Sequence, residues 1–224
     1  MSDYSLAERL DLVRNRIERA CAGSGRDPAS VRLLAVTKIF GPEVIREAWA
    51  VGLREFGENY VQEFEGKAPE VRSLAGARFH LIGHLQSNKA RKGAELFDVI
   101  QTVDSAKLAR RLAEAGKPME VMIEVKLSEE ESKHGCAPAD VPALVEAIRA
   151  QPQLTLKGLM TMPPWSDDDE VARPYFQRLR ELARQTGVEG LSMGMSNDLE
   201  VAIEEGSTLV RVGTALFGRR KKPA

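Results

Sequence analysis

Val31-Arg32-Leu33-Leu34-Ala35-Val36-Thr37-Lys38 is a nearly continuous apolar run that turns polar at its carboxyl end. A strand with one wet face alternates apolar and polar residues; a run apolar at almost every position belongs to a strand covered on both faces. Pro42 follows where a first helical turn tolerates proline, ahead of Ile45, Ala48 and Trp49. The unit then repeats. Strand character is expected at Val31–Thr37, Arg54–Gly57, Arg78–Ile82, Asp98–Thr102, Glu120–Leu127, Thr155–Met160, Leu191–Gly194 and Thr208–Gly213. Asp104 or Ser105 can cap a helix carrying Leu108, Leu112 and Ala115, which Gly116 ends. Asp140 precedes Val141, Leu144, Val145 and Ile148, and the stretch 171–186 puts Ala172, Phe176, Leu179 and Leu182 on one side. Ahead of the first strand, Ser5 and Glu8 form a capping-box pattern, and Leu6, Leu10, Val13 and Ile17 recur at helical spacing up to Gly23 and Gly25.

Eight strand–helix units behind an extra N-terminal helix predict an α/β fold, a single (β/α)8 TIM barrel spanning residues 1–224 as one domain. An open, doubly wound sheet is the competing arrangement. In both, chemistry collects at the carboxyl ends of the strands.

The 224 residues are 43% hydrophobic, with 32 Lys and Arg against 33 Asp and Glu. That apolar content and a formal net charge of −1 exclude a disordered chain and argue against a nucleic-acid coat. No apolar run reaches the ~18 residues of a membrane span. The first residues carry neither the basic start nor the apolar core of a secretory signal, so a cytoplasmic location is expected. Two cysteines, Cys21 and Cys136, make neither a disulfide framework nor a four-ligand zinc site and are expected as reduced thiols. Pro163–Glu170 reads as a loop, and 219–224 as a frayed basic tail.

At the first strand end stands Lys38. An amine at a barrel mouth behind an apolar strand is partly desolvated, which lowers its pKa and frees it to form a Schiff base with an aldehyde. The seventh strand ends Met193-Gly194-Met195-Ser196, and the eighth Arg211-Val212-Gly213-Thr214-Ala215. Ser196 can cap the next helix, whose free amides attract phosphate. Gly213 removes a side chain where backbone would approach a ligand, and the Gly213, Thr214 and Ala215 amides with the Thr214 hydroxyl can face an anion. These two segments together supply a phosphate cradle of the kind barrels build after strands seven and eight. Arg211 falls on the inward alternation of its strand. A buried guanidinium needs acceptors, either a structural carboxylate or a ligand ring nitrogen. Asn59 can hydrogen-bond a ligand edge. His80 and His84 sit on a strand and its end rather than a helix, without a metalloprotease carboxylate, so no metal site is expected. Met160, Met162, Met193 and Met195 read as core filler.

Seven blocks in order carry a resemblance. They are Leu34–Lys38, Phe56–Glu63, His80–Lys89, Glu130–Gly135, Gly158–Met162, Met193–Ser196 and Arg211–Gly218. The chain resembles the pyridoxal phosphate homeostasis proteins, which are similar to the barrel domain of alanine racemase. The resemblance implies pyridoxal 5′-phosphate (PLP) held covalently as a Schiff base on Lys38, phosphate contacts at Ser196, Gly213 and Thr214, ring-nitrogen contact by Arg211, and a pocket position at Asn59. Lys126 departs from the asparagine the family often has there and places a second amine near the mouth.

Racemization needs a second base, which alanine racemase takes from another domain across a dimer. That domain is not expected here, and Tyr4, Tyr60 and Tyr175 fall in no block assigned to the role. An arginine at the ring nitrogen also makes a weak electron sink. The resemblance therefore implies intracellular PLP homeostasis, meaning buffering and delivery of the cofactor to apo-PLP enzymes, without evident catalytic turnover; without the second domain a monomer is expected, and charge and hydropathy predict no nucleic-acid or membrane partner. The alternatives are a PLP-dependent amino-acid racemase and a Schiff-base aldolase or phosphosugar enzyme.

Overall fold

The computed structural model describes residues 4–130 and 133–218; the basic tail expected at 219–224 lies outside the described residues. Eight parallel strands alternate with helices: β1 Arg32–Val36, β2 Glu55–Glu58, β3 Arg78–Leu81, β4 Val99–Val103, β5 Met119–Glu124, β6 Leu154–Met160, β7 Gly190–Met195 and β8 Leu209–Val212. Each pairs with the next, and β8 pairs back onto β1 with Leu34 opposite Arg211, so the sheet closes. That closure excludes the open sheet. Helices α2 Pro42–Ala50, α3 Val61–Val71, α4 Ala90–Leu96, α5 Ala106–Ala113, α6 Val141–Arg149, α7 Arg173–Thr186 and α8 Leu199–Glu204 form the outer ring.

The extra helix α1, Leu6–Gly23, starts at a complete capping box: Ser5 Oγ accepts from the Glu8 amide and the Glu8 carboxylate accepts from the Ser5 amide. It buries Leu10, Val13, Ile17, Ala20 and Cys21 and packs on α8 and on a last short helix, α9, Thr214–Phe217. Ser105, rather than Asp104, caps α5 by accepting from the Leu108 amide. Strand β5 stops before Leu127 because the chain folds back, with Val125 bridging Cys136. A 3-10 turn over Asp169–Ala172, capped by Asp168, delays α7 to Arg173.

Strand alternation makes two interiors. Outward residues and the helices share the large apolar shell. There Phe64 of α3 lies 4.7 Å from Phe79 and 4.8 Å from Phe97, ring to ring, and full burial of such a side chain stabilises by roughly 1.5–3 kcal/mol. The inward set is much more polar. Leu34, Val36, Ile82 and Leu209 form a small apolar cluster. The register puts Glu55, Arg78, His80, Glu120, Ser192 and Arg211 on the same inward side. Buried polar groups require partners, so this lumen is where the side-chain hydrogen bonds concentrate.

Candidate functional site

A cavity of about 750 Å³ opens at the carboxyl ends of the strands. Lys38, Asn59, Ser196, Arg211, Gly213 and Thr214 all line it, although they come from four separate strand ends. Lys38 follows the buried Thr37 directly after β1 and is itself exposed at the mouth. Lys126 is not among the lining residues; its chain segment is turned into the β5 fold-back, where its amide donates to Cys136 O at 2.9 Å.

The two phosphate-cradle segments meet through one atom. Ser196 Oγ accepts from the Gly213 amide at 3.3 Å and the Ala215 amide at 3.2 Å. Ser196 is therefore not the helix cap expected from sequence. The cap position of α8 is Asp198, whose carboxylate accepts from the Met195 amide and so closes the β7 turn. From outside, Arg16 of α1 donates to Ser196 O at 2.9 Å and pairs with Glu200, so the extra helix holds the same loop. Gly213 has φ −115, and a Cβ there would sit 3.5 Å from Val36 Cβ, an ordinary contact. Among the described residues nothing crowds a side chain at this point, which fits a backbone kept bare for a ligand. By contrast, a Cβ on Gly83 would come 2.1 Å from Asn59 O; that glycine lets the chain leaving β3 pass the Asn59 turn.

Arg211 is buried and, among the described residues, meets no carboxylate directly. It donates to Ser192 O, Ser192 Oγ and Thr161 O at 2.7, 2.8 and 2.8 Å. Burial pushes its pKa down to about 10, opposed by the charges of Asp198 and Glu124, so it stays a cation at neutral pH. Three of its five donors are spent, and it still reaches the cavity wall. The Lys38 amine, the Arg211 guanidinium and the Ser196 and Thr214 hydroxyls thus stand on the wall of one cavity.

Other residues of the site were not legible from sequence. Behind Lys38, Thr37 Oγ1 donates to the buried Glu58, and Lys67 Nζ donates to Glu58 at 2.9 Å, Glu63 at 2.6 Å and Thr37 O at 3.2 Å. Glu63 also accepts from the Ile39 amide. Ile39 has φ +70, a conformation that costs a β-branched residue strain, and it directly follows Lys38. His84 and His134 stack at 4.0 Å on the cavity wall. Met160 and Met193 are core as expected, but Met162 and Met195 line the cavity. Among the described residues no group of three or more potential ligands could hold a metal, and no helix is long and apolar enough to cross a membrane.

A family model described as alanine racemase, N-terminal domain, matches residues 9–221. The chain belongs to that family. The pyridoxal phosphate homeostasis protein of Pseudomonas aeruginosa is 49% identical over 222 residues, covering 96% of each chain. PipY of Synechococcus elongatus PCC7942, in a structure with PLP bound, is 40% identical with a TM-score of 0.83, covering 96% of this chain and all of that one. Within the alanine racemase N-terminal domain family the chain thus groups with the homeostasis proteins. An alanine racemase of Clostridium difficile shares the fold at TM-score 0.71 and 13% identity, and the match covers 58% of that longer chain.

Proposed function

We propose that this chain binds PLP reversibly in the mouth cavity and serves intracellular PLP homeostasis, buffering the cofactor and delivering it to apo-PLP enzymes. The carrying observation is the convergence of Lys38, the Ser196–Gly213–Thr214 donors and Arg211 on one cavity. PLP, when bound, supplies an aldehyde that condenses with an amine and releases water. In this reading Lys38 provides that amine. Ser196, Gly213 and Thr214 hold the phosphate, Arg211 donates to the ring nitrogen, and Asn59 meets the ring edge. Because Arg211 keeps its proton, it holds the ring nitrogen unprotonated and so disfavours turnover. The protein acts as a cytoplasmic monomer of one domain.

The test is an absorption spectrum of the protein with PLP, before and after borohydride. The expected outcome is a visible band that reduction removes, with the label on Lys38 and neither band nor label in Lys38→Ala. A colourless protein, or a label that stays in Lys38→Ala, overturns the reading. One observation favours a racemase instead: Tyr60, 61% exposed, lines the cavity and could present a second base. Lys38-dependent exchange of an amino-acid α-proton into deuterated water would support that alternative.

A further inference from the structure

The inward polar residues form one continuous hydrogen-bonded chain through the barrel. Arg211 NH1 donates to Ser192 Oγ at 2.8 Å. Ser192 Oγ lies 2.6 Å from Gln101 Oε1, Gln101 Nε2 lies 2.8 Å from His80 Nδ1, and His80 Nε2 contacts the Glu55 carboxylate. Ser192, Gln101, His80 and Arg211 are all buried.

The polarity of the chain follows from the donor inventory. A guanidinium can only donate and Gln101 turns its Oε1 toward Ser192, so Ser192 Oγ accepts from Arg211 and donates to Gln101 Oε1. The amide of Gln101 then donates to His80 Nδ1. That leaves the His80 proton on Nε2, donated to Glu55. Every group therefore donates away from the cavity, and the chain ends on an anion near the opposite rim. A buried cation gains from such aligned dipoles, and each link orients the next.

We infer that Glu55, His80, Gln101 and Ser192 are positioning residues that act through Arg211, fixing the plane of its guanidinium so that its unspent donors face the cavity. This rests on the proposed contact of Arg211 with a ring nitrogen. Ser192 grips NH1 through both its hydroxyl and its carbonyl, and Thr161 O grips NH2, so rotation of the guanidinium breaks three bonds at once. Ser192→Ala removes one of the three grips and Gln101→Leu removes the acceptor that directs the Ser192 hydroxyl, so each loosens the guanidinium plane and leaves Lys38 and the phosphate donors untouched.

The experiment compares PLP with its 1-deaza analogue, in which carbon replaces the ring nitrogen, by quenching of Trp165, which lines the cavity. The original protein is expected to prefer PLP about tenfold, the size of one charge-assisted hydrogen bond. Ser192→Ala and Gln101→Leu should each reduce that preference to about threefold or less. Ser192→Thr, which retains a hydroxyl, should restore it. Two variants on different strands keep the test open if one of them does not fold. Folded variants that keep the full preference overturn the inference. An original protein with no preference, yet still reduced onto Lys38, refutes the Arg211 contact and the inference together while binding stands. Absence of any Lys38 adduct refutes the binding reading itself.

Discussion

Lys67→Met removes the cation at the centre of the network behind Lys38. Glu58 is fully buried and Lys67 only 6% exposed, and Lys67 Nζ lies 2.9 Å from the Glu58 carboxylate. The substitution strips the buried Glu58 carboxylate of its Lys67 cation while the Thr37 hydroxyl still donates to it, and it releases Thr37 O and Glu63. Breaking a buried pair from one side costs about 3–5 kcal/mol. In a chain of this size that lowers Tm by roughly 6–20 °C. The loss should depend on pH. Burial already raises the Glu58 pKa, opposed chiefly by Lys67, so without Lys67 it rises further. Below that raised value Glu58 is protonated in the folded state and the unpaired charge disappears. The cost must therefore shrink as pH falls. Urea unfolding at pH 7.5 and 5.5 measures this. Because the network also holds Thr37 and Ile39 on either side of Lys38, PLP affinity should weaken in parallel. The double variant Lys67→Met/Glu58→Gln should recover most of the stability. A Tm within about 2 °C of the original, or an equal loss at both pH values, would refute the reasoning.

Two further tests concern buried titratable groups. Burial, opposed by Arg211, pushes Glu124 up to about 7, and its Oε2 has no hydrogen-bond partner among the described residues. A folded pKa above the unfolded one favours folding fully at acid pH, and this contribution is lost as pH rises through about 7. Glu124→Gln should thus flatten the stability profile between pH 5 and 8 and stabilise the alkaline side by up to about 3 kcal/mol, read from urea midpoints. Cys21 and Cys136 are both buried free thiols, and burial pushes Cys136 up to about 12. Native protein should leave both unmodified by a thiol reagent at pH 8, with two equivalents reacting only in denaturant; rapid reaction of the native form would contradict their burial.

The candidate site was legible in the sequence wherever a residue's meaning depends on its position along one strand. Lys38, Ser196, Arg211, Gly213 and Thr214 each stand at the carboxyl end of an apolar run, and barrel topology sends all such ends to one face. Glu58, Lys67 and Glu63 were not legible, because a carboxylate in a strand and a lysine nine residues on read as unrelated surface charges until α3 packs back over β2. Gln101 and Ser192 left a weak signal, as polar residues within buried strands that must find partners, but which partners they find depends on the stagger between strands far apart in sequence.

The periodicity of the chain by itself determined the strand–helix alternation, the capped leading helix and the residues offered at each strand end, since these follow from local hydrophobic pattern and backbone chemistry. Whether the sheet closes, how far each strand is shifted against its neighbour, and which inward polar groups consequently meet were decided only by tertiary structure. Those outcomes depend on the pairing of β1 with β8 across more than a hundred intervening residues, and no local interaction energy carries that information.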